Sequence, residues 1–175
     1  MALTAEVKEE LGAIQSGKTT VRAAELATIL RFSGGLHVIS GRIAVESEVE
    51  SEQLAKRIRK DIAELYGVRA EITIVSASGV RRTSHYLVRV LDGGETLARQ
   101  TGLLDARRRP IRGLPNRLTT GSREDLAAVW RGAFLASSSL TDPGRSAVLE
   151  VTCPGNEAAM ALVGAAGRLR IAAKA

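Results

Sequence analysis

Cysteine and aromatic residues are scarce in this sequence, and both shortages narrow the classes of protein to which it can belong. Cys153 is the single cysteine, so an internal disulfide and a cysteine-based metal cluster are excluded, as is usual for proteins of the reducing cytoplasm. Aromatic residues form 3% of the chain, too few for rows of side chains that stack on single-stranded nucleic acid. Neither an apolar signal core nor a run of roughly 20 apolar residues that spans a bilayer is found. We therefore expect a cytoplasmic globular protein.

Positive charge is concentrated in one short segment. The whole chain carries a net charge of +6, and residues 105–123 hold six arginines against one aspartate, which gives this segment alone +5. Such a segment is typical of a protein with a polyanionic partner. The candidate phosphate-binding residues are Arg107, Arg108, Arg109, Arg112 and Arg117, with Arg81 and Arg82 in a predicted hairpin turn as a further pair. The alternative interpretation is a solvated linker, interrupted by Pro110 and Pro115, that binds nothing.

Hydrophobic periodicity predicts helices and strands in a fixed order. Apolar residues at helical spacing, with polar caps and glycine stops, predict six helices. They lie over Thr4–Leu11, Val21–Phe32, the segment between Ser51 and Gly67, Glu95–Gln100, Glu124–Ala136 and a segment after Asn156. Thr4 is the predicted N-cap of the first helix. Alternation of apolar and polar residues predicts strands over 36–40, 42–49, 70–74, 86–90 and 147–153, with the first hairpin turning at Gly41. The order is helix, two strands, helix, two strands, helix, and it then starts again.

The second half of the chain resembles the first. A shift of about 104 positions, which indicates a duplicated unit, brings Leu36 onto Leu140 and Glu46 onto Glu150 without a gap. We expect a first repeat with an N-terminal helix over 1–104, an arginine-rich linker over 105–123 and a second repeat over 124–175. The second repeat lacks its last two strands and helix, so we expect a truncated chain or an incompletely ordered longer one.

Two helix ends resemble those of a known fold. The stretches Leu26–Gly34 (LATILRFSG) and Trp130–Ser138 (WRGAFLASS) resemble the signature helices of LAGLIDADG homing endonucleases, in which small residues allow two helices to cross closely. The resemblance implies an α+β fold of two pseudo-symmetric αββαββα repeats with antiparallel sheets, the second repeat being truncated here. In active LAGLIDADG nucleases, an acidic residue that ends each signature helix holds catalytic Mg²⁺.

Serines stand at the two positions where this resemblance places the metal-holding acids. They are Ser33 and Ser137. A neutral hydroxyl does not supply the charge that a hard divalent cation needs. We therefore expect no bound metal, no cofactor and no nuclease activity.

Three stretches narrow the resemblance to one family. Residues 30–37 (LRFSGGLH), 130–136 (WRGAFLA) and 150–155 (EVTCPG) are similar to the WhiA family of actinobacteria. The similarity implies a DNA-binding regulator of division and sporulation genes, at the nucleoid, whose helix-turn-helix domain is absent here. It also implies double-stranded DNA, a WhiB-type iron-sulfur protein and RNA polymerase as partners. We expect this chain to be the non-catalytic module of such a regulator; the alternative is an interaction scaffold without DNA affinity of its own.

One motif points to a different function. Gly12–Thr19 (GAIQSGKT) matches the P-loop pattern of nucleotide-binding proteins letter for letter. A P-loop follows a buried hydrophobic strand, whereas the residues before Gly12 are charged and helical in pattern. No apolar run ending in aspartate follows to supply a second magnesium ligand. We interpret the match as coincidence, and a nucleotide-binding protein is the alternative.

Histidines and a serine run are expected to have structural roles. His37 and His85 lie in predicted strands without a carboxylate or cysteine partner at ligand spacing. Ser137, Ser138 and Ser139 have no base placed beside them by the sequence, so we expect them to end a helix rather than to act as nucleophiles.

Carboxylates argue against a nuclease-like mode of DNA binding. Glu46, Glu48 and Glu150 alternate with Val45 and Leu149, which places the carboxylates on the outer face of the sheet. In LAGLIDADG nucleases this face lies over the DNA, where carboxylates would repel phosphate. The linker and the loops are therefore better candidates for DNA contact than the sheet.

Overall fold

The computed structural model describes residues 2–77, 83–141, 144 and 148–175. These residues form seven helices and six strands. The helices are α1 (Ala2–Ala13), α2 (Thr19–Ser33), α3 (Glu52–Tyr66), α4 (Gly94–Thr101), α5 (Asn116–Thr119), α6 (Arg123–Ser137) and α7 (Asn156–Arg168). The strands are β1 (Gly34–Ile39), β2 (Arg42–Val49), β3 (Glu71–Val75), β4 (His85–Val90), β5 (Ser138–Leu140) and β6 (Leu149–Val151). The predicted order of helices and strands is confirmed, and α5 was not predicted.

The first four strands form one antiparallel sheet in the order β1-β2-β4-β3. Val45 of β2 pairs with Val90 of β4, and both side chains are 1% exposed because α2 and α3 pack on this face. The hairpin between β1 and β2 turns at Ser40 and Gly41, whose φ angles are 50° and 75°. Positive φ at both central residues suits a two-residue hairpin turn, since it matches the twist of the strands. The predicted hairpin at Gly41 is confirmed.

Helix α3 begins, ends and packs as its sequence predicts. The Ser51 side chain accepts a hydrogen bond from the backbone N–H of Leu54 at 3.2 Å, which satisfies a free donor of the first turn. Gly67 ends the helix in the left-handed conformation, with φ of 65°. Leu54, Ile58 and Ile62 recur at helical spacing and are 5%, 0% and 1% exposed. This apolar face closes the core under the sheet.

The second unit repeats the order of the first in a shorter form. Helix α6 starts with a capping box in which Ser122 and Asp125 bond each other's backbone N–H. Strands β5 and β6 pair antiparallel. Helix α7 packs on α6, where the Trp130 indole N–H donates to the Leu162 carbonyl at 3.0 Å.

The arginine-rich segment is more ordered than a solvated linker. The Asp105 carboxylate accepts hydrogen bonds from the backbone N–H groups of Arg107 and Arg109 at 2.8 and 2.9 Å, and the backbone hydrogen bond from Arg109 is the main reason that its pKa lies below the ordinary value. Leu114 and Leu118 are 9% and 7% exposed and belong to the apolar cluster shared by α2, α6 and α7. These apolar side chains fix the segment to the second unit.

Helix α1 begins at Ala2, and the predicted capping role of Thr4 is wrong. Thr4 lies inside the helix, and its hydroxyl accepts a hydrogen bond from the Leu140 backbone N–H at 3.0 Å. At the other end, the Arg57 guanidinium donates to the carbonyls of Leu11 and Gly12 at 3.0 and 3.1 Å. Helix α1 therefore contacts both units, through α3 on one side and α6 and β5 on the other.

Some predictions fall outside the described residues. Arg81 and Arg82, for which the sequence predicts a hairpin turn, are not among the described residues, and neither is Ala147 at the start of the predicted strand that includes β6. The described part of that strand, Leu149–Val151, is shorter than predicted. Of the helices in the described part of the chain, none has the length and apolar character that a membrane span requires.

Candidate functional site

Helices α2 and α6 cross with their backbones in close contact. A Cβ added to Gly132 of α6 would lie 2.6 Å from the carbonyl oxygen of Glu25 on α2 and 3.0 Å from the Cβ of Thr28. Ala27 and Ala133 belong to the apolar cluster at this crossing and are 3% and 0% exposed. The small residues of the two signature helices therefore allow the close packing that their sequence predicts.

A buried ionic network joins the helix pair to α3. The Glu25 carboxylate is 3% exposed and accepts hydrogen bonds from the guanidinium groups of Arg57 and Arg131. Asp61 is 5% exposed and accepts a hydrogen bond from Arg22 at 2.8 Å. Each buried carboxylate thus has an arginine partner, without which burial would be strongly destabilising. This network could not be predicted from the sequence, because Arg57 and Arg131 lie 32 and 106 positions from Glu25.

Ser33 and Ser137 stand at the ends of the two signature helices and line one cavity. The Ser33 Oγ lies 2.5 Å from the carbonyl oxygen of Ile29, to which it donates, and 2.5 Å from the Oγ of Ser47. Ser137 is the last residue of α6, and its carbonyl accepts a hydrogen bond from the backbone N–H of Thr152 at 2.8 Å. The structure therefore brings the two predicted positions together where the units meet.

The cavity beside these serines has a volume of about 1170 Å³ and is partly covered by α1. Lys8 of α1 lines it, and burial lowers the pKa of this ammonium, with the charge of Glu50 acting in the opposite direction. Glu9, Glu48 and His85 also line the cavity. Within residues 2–77, 83–141, 144 and 148–175, no group of three or more His, Cys, Asp or Glu side chains is arranged to hold a metal ion.

Three consecutive arginines of the linker have different surroundings. Arg108 donates from Nε to the Glu95 carboxylate at 2.9 Å, and the Nε of Arg109 lies 3.4 Å from the Asp105 carboxylate. Arg107 is exposed. A neighbouring carboxylate cancels part of a surface charge, so Arg107 is the most favourable of the three for phosphate contact.

The other two predicted arginines lie near the short helix α5. The Arg112 side chain is 86% exposed and its Nη1 is 4.0 Å from the Glu157 carboxylate. Arg117 donates from Nη2 to the carbonyl of Gln100 at 2.5 Å, which places it beside the end of α4. Arg117 therefore lies beside α4, whereas Arg112 lies beside the first turn of α7.

Sequence reasoning missed two further arginines on this side of the molecule. Arg168 of α7 donates from Nη1 to the carbonyl of Thr119 at 2.7 Å, so it lies beside α5. Arg99 is exposed on α4, one residue before the carbonyl that Arg117 binds. Neither stands in the charged segment 105–123, and only the fold brings them to it.

The carboxylate of Glu46 lies on the sheet face opposite Val45, as predicted, but it is not an exposed repulsive charge. Glu46 is 9% exposed and accepts a hydrogen bond from Arg89 Nε at 2.5 Å. His37 Nε2 lies 3.3 Å from the same carboxylate, so His37 has the partner that its sequence spacing did not reveal. Repulsion of phosphate is therefore weaker at Glu46 than expected, whereas Glu150 on β6 is exposed.

The P-loop-like stretch does not have the structure of a P-loop. It connects two helices, since α1 ends at Ala13 and α2 begins at Thr19, whereas a P-loop connects a strand to a helix. Lys18 donates to the Glu124 carboxylate at 3.0 Å, and the Ser16 hydroxyl accepts a hydrogen bond from the Lys18 backbone N–H at 3.1 Å. The nucleotide-binding alternative is contradicted by this arrangement.

Two helix-strand-strand-helix units that meet through paired signature helices define a LAGLIDADG-like protein, and solved structures have the same fold. The N-terminal LAGLIDADG domain of DUF199/WhiA aligns over 98% of this chain and 76% of that chain, with a TM-score of 0.68 and 18% identity. Full-length DUF199/WhiA from Thermatoga maritima aligns over 97% and 51%, with a TM-score of 0.67 and 16% identity. I-DmoI in complex with DNA and Mn aligns over 89% and 81%, with a TM-score of 0.59 and 19% identity. The predicted α+β fold is confirmed.

The chain belongs to the WhiA family. The model of the WhiA N-terminal LAGLIDADG-like domain matches residues 19–104, and that of the WhiA LAGLIDADG-like domain matches residues 126–175. Over 175 residues the chain is 81% identical to the probable cell division protein WhiA of Leifsonia xyli subsp. xyli and 78% identical to that of Clavibacter michiganensis subsp. michiganensis. These matches cover 100% of this chain and 54% of each relative, so the chain spans about half the length of the curated relatives it matches.

Proposed function

We propose that this chain is the non-catalytic, DNA-contacting module of a WhiA-type transcription regulator of division and sporulation genes. The observation that carries the proposal is the pair of hydroxyls, Ser33 and Ser137, in the cavity where the two signature helices end. Hydrolysis of a phosphodiester by two metal ions needs full negative charges to hold those ions. A serine hydroxyl lacks this charge, and that of Ser33 is already bonded to Ile29 and adjacent to Ser47.

The surface proposed to contact DNA is formed by the linker and the helices beside it. We call it the linker-side basic surface, and it consists of Arg99, Arg107, Arg112, Arg117 and Arg168. Their guanidinium groups would contact the phosphate backbone, which supplies affinity without base specificity. Sequence-specific recognition would then rest on other parts of the full-length regulator, as would contacts with a WhiB-type partner and RNA polymerase.

We further propose that 1–104 and 124–175 are the two repeats and that 105–123 connects them. The first matched family model ends at residue 104, and the second begins at residue 126. In the described part of the second unit β6 pairs with β5 alone, and its Leu149 is 49% exposed, whereas the equivalent Val45 is 1% exposed beneath a four-stranded sheet. A further hairpin pairing with β6 in the full-length protein would cover Leu149.

Fluorescence anisotropy with a labelled duplex at several salt concentrations tests the DNA-contacting surface. We expect weak binding. The logarithm of the association constant should fall linearly with the logarithm of the salt concentration, because bound cations are released from the DNA. The combined substitution Arg99→Ala, Arg107→Ala and Arg112→Ala should lower affinity and reduce the slope by about 0.9 for each lost phosphate contact. Arg108→Ala should have a smaller effect than Arg107→Ala, because Arg108 is paired with Glu95.

A matched control removes the same charge elsewhere. Lys56, Arg59 and Lys60 are exposed on α3, and their substitution by alanine should leave the salt slope nearly unchanged. Equal losses in both triple variants would show that only net charge matters. Absence of any binding at low salt would favour the interaction scaffold, which the pairing of Arg108 and Arg109 with carboxylates supports.

Nicking of supercoiled plasmid tests the non-catalytic part of the proposal. We expect no conversion to the open-circular form with Mg²⁺ or Mn²⁺ at any protein concentration. Metal-dependent nicking that is lost in Ser33→Ala and Ser137→Ala would overturn the proposal, whereas nicking unaffected by these variants would indicate a contaminating nuclease.

A further inference from the structure

Arg31, in the last turn of α2, donates two hydrogen bonds to the backbone of the linker. Its Nε lies 3.1 Å from the carbonyl oxygen of Gly113, and its Nη2 lies 2.6 Å from that of Arg112. One guanidinium therefore binds two consecutive carbonyls, which the planar arrangement of its N–H donors allows. The signature helix of the first unit is in this way joined to the segment that leads into the second unit.

Burial of Arg31 is not explained by an ion pair. Its side chain is half-buried, which lowers the pKa of the guanidinium, and the charge of Glu157 acts in the opposite direction. No carboxylate forms an ion pair with Arg31 in the described part of the chain, and burial of an unpaired charge is unfavourable. Leu135, which the shift between the repeats places at the equivalent position of α6, is 3% exposed in the core. An apolar residue therefore suits this position of a signature helix, and the two linker carbonyls account for the arginine.

The other side of Gly113 is packed against the first turn of α7. A Cβ added to Gly113 would lie 3.2 Å from the carbonyl oxygen of Glu157 and 3.3 Å from its carbonyl carbon. The next residue, Leu114, is 9% exposed and belongs to the apolar cluster shared by α2, α6 and α7. At this point the linker is therefore held between Arg31 on one side and α7 on the other.

Arg112 has a fixed backbone and an exposed side chain. Its carbonyl is bound by Arg31, and the backbone N–H of the preceding residue, Ile111, donates to the Leu103 carbonyl at 3.1 Å. The Arg112 side chain is 86% exposed, and the Glu157 carboxylate is 4.0 Å from its Nη1. A backbone that is ordered before binding reduces the conformational entropy lost when the guanidinium contacts a phosphate. The contacts of the linker at this point therefore favour phosphate binding by Arg112.

We propose that Arg31 is a positioning residue of the linker-side basic surface. It binds the carbonyls of Arg112 and Gly113, and it thereby holds the Arg112 guanidinium where this group contacts a phosphate. Arg31 acts through Arg112 rather than on DNA, because its own guanidinium donates to the linker backbone. The inference rests on the proposed DNA-contacting function, but the hold of Arg31 on the linker can be measured without DNA.

Limited proteolysis with trypsin measures this hold in the absence of DNA. Trypsin cuts after arginine, so the bond between Arg112 and Gly113 is a cleavage site inside the held segment, and cleavage after Arg107 is an internal reference. Arg31→Leu should raise the rate of the first cleavage, relative to the second, by about tenfold or more, because a held bond is cut only when the segment opens. The urea midpoint should stay near that of the wild type, since leucine occupies the equivalent position of α6. Equal relative rates in the two proteins would overturn the proposal.

The charge-conserving variant Arg31→Lys separates positioning from net charge. Lysine keeps the positive charge but lacks the planar fork that binds both carbonyls. In fluorescence anisotropy with a labelled duplex, Arg31→Lys and Arg31→Leu should therefore both reduce the salt slope by about 0.9, the value for one phosphate contact. Arg59→Leu, which removes an exposed charge from α3, is the matched control and should leave the slope nearly unchanged.

Combination with Arg112→Ala tests whether Arg31 acts through Arg112. Arg112→Ala alone should reduce the slope by about 0.9, and its addition to Arg31→Leu should cause no further reduction, because the same contact is already lost. Additive reductions, or a slope in Arg31→Lys equal to that of the wild type, would overturn the proposal. A wild-type chain that binds no duplex at low salt would overturn the proposed function and with it the positioning role. The trypsin result does not depend on DNA, so it distinguishes that outcome from a failure of Arg31 to hold the linker.

Discussion

Gly132 of α6 lies directly against the backbone of Glu25 on α2, and this contact sets the distance between the two signature helices. A Cβ at Gly132 would be 2.6 Å from the Glu25 carbonyl oxygen, closer than two such atoms approach in folded proteins. The obstructing atom belongs to the backbone, so it cannot rotate away as the end of a side chain can. The two units of the chain are therefore held together at a position where a side chain larger than that of glycine would force the two backbones apart.

We expect Gly132→Ala to destabilise the chain despite the better helix propensity of alanine. Overpacking costs about 1–3 kcal/mol, and the obstructing atom here is a backbone oxygen, so we expect the upper part of this range. That cost exceeds the gain of about 1 kcal/mol from replacing a helical glycine. Urea unfolding followed by circular dichroism measures the difference. The matched control is Gly164→Ala, at a helical glycine with nothing within 4 Å of its added Cβ, which should be neutral or stabilising in dilute solution. Equal stability of the two variants would mean that α2 and α6 do not cross at Gly132.

Glu25→Gln is expected to destabilise the chain strongly, because it removes the negative charge between Arg57 and Arg131. The Glu25 side chain is 3% exposed, and breaking a buried ion pair by removing one partner costs about 3–5 kcal/mol. Thermal and urea unfolding measure the loss. Glu124→Gln is the comparison. The side chains of Glu124 and its partner Lys18 are 58% and 66% exposed, so this ion pair should contribute little to stability. A loss as small as that of the control would show that water screens the network.

Local sequence was sufficient for the helices and strands whose start and stop residues act within a few positions. Helix α3 begins after Ser51, whose side chain caps its first turn, and ends at Gly67, which has a left-handed conformation. Both residues can be recognised in the sequence. The pairing of Glu25 with Arg131 was not predictable in this way, since it depends on how α2 and α6 cross. The same reason explains why a partner for His37 was missed, because Glu46 becomes its neighbour only through the pairing of β1 with β2.

Net charge identified the linker but not the surface to which it contributes. Arg168 and Arg99 stand outside segment 105–123. Arg168 donates to the Thr119 carbonyl of α5, and Arg99 precedes Gln100, whose carbonyl accepts a hydrogen bond from Arg117. The sequence also could not show that Arg108 is paired with Glu95. Counting arginines along the chain therefore overestimated the charge that some residues have available for phosphate contact, and it omitted other residues.

Lys18→Ala is expected to leave the chain insensitive to nucleotide, as the wild type should be. Lys18 is in contact with Glu124 rather than with a phosphate-binding loop, and this hydrogen bond raises the pKa of its ammonium. Thermal unfolding with and without MgATP should give the same midpoint for both proteins. A ligand-dependent increase in the wild type that disappears in Lys18→Ala would contradict this prediction, because a ligand that binds the folded and not the unfolded state raises stability.

Alkylation of Cys153 should be slow in the folded chain and should report on the packing of the second unit. Burial raises the pKa of this thiol, and only the thiolate reacts. Each unit of pKa increase lowers the thiolate fraction about tenfold at a pH below the ordinary thiol pKa of about 8.5. The rate with iodoacetamide should therefore be lower in native buffer than in urea at pH 8, and it should go on rising at pH values where the unfolded chain has levelled off. Cys153 packs against the apolar cluster shared by α6 and α7, so equal rates in the two conditions would mean that this cluster does not bury it.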